Sequence, residues 1–169
     1  MTQILAYLDP LWDNPDATLF LQLLVALAVG MLLGAERVLA GKTAGVRTHA
    51  LVAMTATLTV SLGLRYLEHS GNPDDLFRII QGIVTGIGFL GAGIILLREN
   101  QIKGLTTAAG LWFTTGIGIA IGLGFYVTAL LATALALFVY RVLWDLEQEV
   151  KEILAHRNNR SSDADGVKE

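Results

Sequence analysis

The sequence predicts an all-α membrane protein with five transmembrane helices. Of its 169 residues, 53% are hydrophobic and 16% are charged, and the mean hydropathy is +0.56. A soluble domain averages roughly 25% charged residues, so this chain has too little charge to cover its surface in water. Apolar stretches recur along the chain, and each has at least about the 20 residues that a helix needs to cross a bilayer.

The predicted spans follow these apolar stretches in order. They cover residues 18–35, 48–66, 76–97, 105–121 and 124–141. The last two come from one uncharged tract that is too long for a single helix. We place their turn within Gly118–Phe125, because glycine allows the chain to reverse tightly. Residues 1–17 are expected to form a periplasmic segment.

The distribution of basic residues predicts the orientation. Ten of the twelve lysines and arginines fall in the first loop, the third loop and the C-terminal tail. The other two, Arg65 and Arg78, fall on the opposite side. Because cytoplasmic loops are enriched in lysine and arginine, we expect the N-terminus outside and the C-terminus in the cytoplasm.

The segment after the last span has a helical pattern of its own. Apolar residues at Leu143, Leu146, Val150 and Ile153 form one stripe on a helix. Residues 142–157 are therefore predicted to be an amphipathic cytoplasmic helix. It would either lie on the membrane surface or form a short coiled coil between subunits. Residues 158–169 have the composition of a disordered tail.

Glycines in two spans predict close helix packing. Lipid provides no hydrophobic force between helices, so small residues matter at their contacts. The candidate packing glycines are Gly30 and Gly34 in the first span and Gly82, Gly86, Gly88, Gly91 and Gly93 in the third. In the third span they occupy two opposite faces. This pattern predicts that the third span is central in the bundle.

The third span also carries a polar stripe. Arg78, Gln81 and Thr85 follow helical spacing and lie on one face. Polar residues within a span are costly and often functional, so this stripe could line an aqueous pocket or an ion path. Alternatively, Arg78 extends to the outer headgroups while Gln81 and Thr85 hydrogen-bond to neighbouring helices.

A second set of polar residues flanks the loops that are predicted to face the cytoplasm. We expect these residues to form one cytoplasmic-face cluster, in which Glu36 pairs with Arg47 or Arg98. The set comprises Glu36, Arg37, Arg47, Thr48, His49, Arg98, Thr106 and Thr107.

Composition argues against several other functions. The chain has no cysteine and a net charge of −3, so we expect no thiol chemistry, no Cys-zinc site and no nucleic-acid partner. Its three histidines lie in three different segments. The spans carry no carboxylate away from their ends, which argues against a dedicated Mg²⁺ cage. We expect no cofactor and no enzymatic activity.

Three glycine-rich motifs resemble those of the MgtC/SapB family of bacterial inner-membrane proteins. They are GAERVLAGKTAGVRTHALV from Gly34, RIIQGIVTGIGFLGAGIIL from Arg78, and IKGLTTAAGLW from Ile102. They occur in the family's order and at about its spacing. The resemblance covers roughly Leu21 to Tyr140, which is nearly the whole predicted membrane portion.

The resemblance implies a role in magnesium homeostasis and growth at low magnesium, and in pathogens survival inside host cells. It implies either a regulator of partner membrane proteins or a transporter or channel for Mg²⁺ or another small ion. Longer family members carry a soluble C-terminal domain, and this chain is expected to be a short form without it. We expect a homo-oligomer in the lipid bilayer, with a dimer favoured.

Overall fold

The computed structural model describes residues 14–70, 72, 74–98 and 101–143. Most of the predicted periplasmic segment 1–17 lies outside the described residues. The predicted amphipathic helix 142–157, apart from its first two residues, and the tail 158–169 also lie outside them. Within the described ranges, the chain forms five helices that are long and apolar enough to cross a membrane, which confirms the predicted number of spans.

Helix α1 spans Pro15–Leu39 and begins with a capping signal. The Asn14 side chain accepts a hydrogen bond from the backbone N–H of Asp16 at 3.0 Å. Proline is favoured in the first turn because its missing N–H would have no partner there. At this same end, Arg65 of the second helix forms an ion pair with Asp16 at 2.7 Å.

Helix α2 spans Val46–Ser70 and helix α3 spans Asp74–Ile94. The connection between α1 and α2 contains Gly41, whose positive φ of 66° is a conformation that glycine adopts readily. Asp74 and Asp75 lie in the first turn of α3, where negative charge interacts favourably with the helix dipole.

A short β-hairpin follows α3. Strand β1, Leu96–Arg98, pairs antiparallel with strand β2, Gln101–Lys103. The sequence predicted that the third span continues to residue 97, but the helix ends at Ile94. Gly104, at a φ of 95°, lies directly against the Ile94 carbonyl, and a Cβ at this glycine would collide with that oxygen. The backbone that follows the hairpin therefore packs closely against the end of α3.

Helix α4 spans Leu105–Gly122, and helix α5 spans Tyr126–Leu143. The turn between them contains Gly124, whose φ is 81°. This turn falls within the glycine-rich segment that the sequence marked. The helices thus run back and forth, and α4 lies in the interior with buried residues along its whole length.

Helices α1, α2 and α4 approach one another at backbone distance. A Cβ at Gly30 would lie 2.6 Å from the Ala50 Cα, and one at Gly34 would lie 2.5 Å from the Val46 Cα. On the other side of α2, a Cβ at Gly118 would lie 2.5 Å from the carbonyl oxygen of Ala53. Gly30 and Gly34, for which the sequence predicts a packing role, lie at these close approaches.

The predicted central position of the third span is wrong. Along α3, Ile87 is buried and the other residues are half-buried or exposed. A Cβ at Gly82, Gly86, Gly88 or Gly93 would meet nothing within 4 Å, and one at Gly91 would make only an ordinary contact with Ala108. Among the described residues, no helix approaches these glycines at backbone distance.

Candidate functional site

A buried ion pair lies at the end of the bundle that is predicted to face the cytoplasm. Arg37 is only 2% exposed. Its guanidinium Nη2 lies 2.5 Å from Glu36 Oε2, and its Nε donates to the same oxygen at 2.6 Å. The guanidinium carbon lies 3.6 Å from the centroid of the Tyr140 ring, a geometry that allows a cation–π interaction. Helix α1 is thereby joined to α5.

His49 lies fully buried near this pair. Its Nδ1 is 3.1 Å from the carbonyl oxygen of Gly45. Since a carbonyl can only accept, Nδ1 carries the proton and Nε2 of the neutral ring is an acceptor. Nε2 is buried and has no hydrogen-bond partner in the described part of the chain.

Gly110 of α4 completes the arrangement. A Cβ at this position would collide with the Tyr140 hydroxyl and would lie 3.7 Å from His49 Nε2. The absence of a side chain therefore lets a phenol and an imidazole approach the same point on α4. We call Glu36, Arg37, His49, Gly110 and Tyr140 the Arg37 cluster. It joins α1, α2, α4 and α5 at one end of the bundle.

The predicted cytoplasmic-face cluster is only partly assembled in this way. Glu36, Arg37 and His49 are brought together, whereas Arg47, Thr48 and Thr106 are exposed and Thr107 is buried in α4. The side chain of Arg98 lies outside the described residues. Sequence reasoning missed Tyr140 and Gly110, which join the cluster from distant parts of the chain.

The predicted pairing of Glu36 with Arg47 is not what the structure shows. Glu36 binds its chain neighbour Arg37. Neighbouring residues on a helix usually point apart. Here the Arg37 side chain is drawn inward over the Tyr140 ring, and Glu36, itself 12% exposed, neutralises the buried charge. Arg47 instead lies at the surface.

A second buried polar group occupies the interior between α1, α2 and α4. The Gln22 amide donates to the carbonyl oxygen of Ile121 at 3.3 Å, and its oxygen accepts from the Ser61 hydroxyl at 2.8 Å. One turn away, the Thr57 hydroxyl donates to the carbonyl oxygen of Gly118 at 2.8 Å. We call Gln22, Thr57 and Ser61 the interhelical polar network.

Gln22 is isolated on its own helix, so the sequence of α1 alone gives no signal for this network. A signal was nevertheless present in the other two helices. Thr57 and Ser61 are four residues apart, as are Gly118 and Gly122. These two spacings place hydroxyls on one face of α2 and exposed backbone carbonyls on the facing side of α4, where an amide from α1 can bind.

The predicted polar stripe of the third span is exposed. Arg78, Gln81 and Thr85 all lie on the outward side of α3, and Arg78 pairs with Asp75 at 3.5 Å. Among the residues that the structure describes, no three His, Cys, Asp or Glu side chains are grouped closely enough to hold a metal ion.

The motifs that form the Arg37 cluster and α3 match a known family. The sequence profile of the MgtC family covers residues 23–149. The chain belongs to the MgtC family. With its five apolar helices, this MgtC-family chain is a multi-pass membrane protein, as the motif resemblance implied.

Curated relatives agree with this assignment. The chain is 41% identical over 133 residues to "Protein MgtC" of Salmonella typhimurium strain 14028s, covering 79% of this chain and 55% of that protein. It is 41% identical over 130 residues to the Escherichia coli K12 protein named "Putative magnesium transporter YhiD", covering 73% and 59%. A Haemophilus influenzae protein is 40% identical over 136 residues, covering 76% and 57%.

The chain thus spans somewhat more than half the length of the curated relatives that it matches. No solved structure matches it.

Proposed function

We propose that this MgtC-family chain is a magnesium-homeostasis protein of the bacterial inner membrane that acts by binding partner membrane proteins rather than by carrying an ion. The names of its relatives support the link to magnesium. The observation that favours a regulator is the close packing of α1, α2 and α4.

Two kinds of interaction hold these three helices together. Gly30, Gly34 and Gly118 hold the three backbones in van der Waals contact. The interhelical polar network then joins the same helices by hydrogen bonds in the bundle interior, where lipid offers no alternative partner. A carrier must separate packed elements to expose its site alternately to the two sides. A joined bundle is better suited to present a fixed surface.

A transporter or channel is the second candidate, and the polar stripe of α3 favours it. Arg78, Gln81 and Thr85 are exposed in one row, and such a row could line a path if another protein surface faced it. A cationic residue at the outer mouth is, however, unfavourable for a divalent cation. This candidate therefore ranks second.

Ion flux separates the two candidates. We expect purified protein, reconstituted in liposomes loaded with a magnesium-sensitive dye, to admit Mg²⁺ no faster than protein-free liposomes do. Gln81→Ala and Arg78→Ala variants should give the same result, because no ion passes the stripe. Uptake well above empty liposomes that falls in either variant would establish transport and overturn the regulator proposal.

Partner binding tests the regulator directly. A photo-crosslinking amino acid at exposed Ile102 of the β-hairpin would be compared with one at exposed Leu130 in the membrane-spanning part of α5, in cells grown at low magnesium. We expect a defined inner-membrane protein to be captured from position 102, and its activity to change when the chain is removed. Capture of this chain alone, from both positions, would contradict the proposal.

A further inference from the structure

An open groove lies between α2 and α3, in the half of the bundle that contains the Arg37 cluster. Its volume is about 340 Å³, and its lining includes Leu51 and Val52 of α2, Ile87 and Leu90 of α3, and Thr115 of α4. Leu51 and Leu90 are exposed, whereas Thr115 is buried at the base. The groove therefore opens towards the lipid.

Gly86 of α3 helps to form this groove. It is one of the lining residues, and a Cβ there would meet nothing within 4 Å. Towards the other end of α2, by contrast, a Cβ at Gly63 would lie 2.6 Å from Cδ1 of Ile79, so α2 and α3 are in contact there. The space between the two helices therefore lies on the Arg37 side of this contact.

The described residues at the base of the groove present no unpaired side-chain donor. The Thr115 hydroxyl donates to the carbonyl oxygen of Leu111 at 2.9 Å, so this donor is already satisfied. Thr55, the other threonine of the lining, lies on the exposed side of α2. The remaining lining residues are aliphatic or glycine. The base of the groove consequently requires no hydrogen bond from an occupant, and hydrocarbon is well suited to fill it.

A positive charge lies at the mouth of the groove. Arg47, in the first turn of α2, is exposed and lies four residues before Leu51 on the same side of the helix. Among the residues that the structure describes, Arg47 has no ion-pair or hydrogen-bond partner. The exposed Thr48 lies four residues before Val52 in the same way. Because the membrane span begins at Val46, both side chains lie near the depth of the lipid headgroups.

We propose that this groove is a binding site for an anionic phospholipid, with one acyl chain along the groove and the phosphate on Arg47. The inference is independent of the regulator proposal. A guanidinium offers paired N–H donors that match two phosphate oxygens, and the Thr48 hydroxyl can donate to the same group. Basic pockets between membrane helices are known binding places for anionic lipid headgroups.

The order of the groups along the membrane normal is that of a lipid. In the adjoining leaflet, each phospholipid places its phosphate at the interface and its acyl chains below it. The protein presents Arg47 at the interface and an aliphatic groove below it. A helix of another protein would have to bring its own anion to the depth of Arg47, whereas every anionic lipid already holds one there. The charge and the apolar lining together thus favour lipid as the occupant.

Lipid selectivity tests the charged part of the site. The purified protein, freed of lipid in detergent, would be titrated with phosphatidylglycerol or with phosphatidylcholine of the same acyl chains, and bound lipids would be counted by native mass spectrometry. We expect one phosphatidylglycerol to bind about tenfold more tightly than phosphatidylcholine. Glycerol phosphate, which has no acyl chain, should not compete at equal concentration. Equal affinity for the two lipids, or competition by glycerol phosphate, would overturn the proposal.

Two exposed cations distinguish this site from general surface charge. Arg47→Ala should reduce the preference for phosphatidylglycerol about fivefold or more. Lys103→Ala is the control, because Lys103 is also exposed but lies on β2 rather than on a helix that lines the groove. This control should change the preference by less than about twofold. Equal losses in the two variants would indicate diffuse electrostatic attraction and overturn the assigned site.

Two glycines of α3 test the acyl-chain part of the site. Gly86→Leu places a side chain in the groove and should weaken the binding of both lipids at least about fivefold. Gly88→Leu is the matched control, because a Cβ at either glycine would meet nothing within 4 Å, but Gly88 does not line the groove. The control should change lipid affinity by less than about twofold. Equal lipid affinities of the two variants would overturn the placement of the acyl chain.

Crosslinking identifies the occupant in a membrane. A photo-crosslinking amino acid at Leu51 in the groove would be compared with one at Leu135 of α5, since the two are 64% and 63% exposed. In vesicles of phosphatidylcholine with a minority of phosphatidylglycerol, we expect phosphatidylglycerol adducts to be enriched at position 51 but not at 135. The same adducts at both positions would indicate bulk lipid and overturn the proposal. In cells, capture of a protein at position 51 without any lipid adduct would assign the groove to that protein and overturn the lipid site.

Discussion

At the residue scale, Arg37 is the most consequential side chain in the bundle. It is a full charge that is 2% exposed, and its burial is tolerable because Glu36 neutralises it and the Tyr140 ring covers it. A buried pair of this kind contributes little net stability when intact, but losing one partner leaves an uncompensated group. Arg37 therefore fixes the position of α1 against α5.

Replacing Arg37 should be strongly destabilising. We expect Arg37→Ala to lower the free energy of unfolding by about 3 kcal/mol, because Glu36 loses its partner and Tyr140 loses its cover. SDS titration of the purified protein measures this. Arg47→Ala, an exposed arginine ten residues away along the chain, should change the unfolding free energy by less than about 0.5 kcal/mol. Equal effects of the two variants would refute the role of Arg37 in holding α1 against α5.

The interhelical polar network makes a second prediction at this scale. Gln22→Leu should lower the unfolding free energy by about 1–2 kcal/mol, because it removes the bonds to Ser61 and Ile121. Thr59→Val is a suitable control, since Thr59 is exposed and bonds only the backbone of its own helix at Thr55. A loss in the control as large as that in Gln22→Leu would contradict this assignment.

At the scale of elements, the five helices are not equivalent. Helices α1, α2 and α4 are in backbone contact through glycines, whereas α3 buries Ile87 and leaves most of its length exposed. Among the described helices, the closest backbone contacts therefore lie between α1, α2 and α4. The glycines of α1 therefore lie at close helix contacts, whereas most of those of α3 do not.

Alanine substitutions at glycines should reveal the division. We expect Gly30→Ala to lower the unfolding free energy by about 1–3 kcal/mol, since its Cβ would lie 2.6 Å from the Ala50 Cα and the helices must move apart. Gly116→Ala should be neutral or stabilising by up to about 1 kcal/mol, because it has open space and alanine favours helix. The reverse order of stabilities would refute the packing assignment.

At the scale of the whole molecule, the Arg37 cluster and the outer end of α3 lie at opposite ends of the bundle. The cluster closes the end where α1 meets α2, and the Asp16–Arg65 pair joins the other end. The proposed orientation places the Arg37 cluster at the cytoplasmic end of the bundle and the Asp75–Arg78 end outside. A regulator built this way would present its Arg37 end to the cytoplasm.

Cysteine labelling tests that orientation. Thr43→Cys, in the connection between α1 and α2, should react with a membrane-impermeant maleimide only after the cytoplasmic side is opened. Asn72→Cys, in the connection between α2 and α3, should react in intact spheroplasts. Both native residues are exposed, so low reactivity cannot come from burial within one chain. The opposite pattern would invert the assigned topology.

The number of spans and the family follow from local patterns, and both could be predicted. An apolar run of about 20 residues has one stable outcome in a bilayer, and the family motifs are contiguous. The polar contacts were harder to predict from the sequence. Glu36 lies within reach of several arginines in the sequence, and its choice of Arg37 depends on Tyr140, which lies far along the chain.

By itself, then, the sequence determined the fold class, the five spans and the membership of the MgtC family, because hydrophobic length and contiguous motifs are local properties. The tertiary structure decided that α4 lies in the interior and α3 at the edge. It also decided that Gln22 binds Ser61 and that His49 and Tyr140 both approach Gly110. Helical spacing shows which residues share a face, but only packing determines whether that face meets a helix of the same chain.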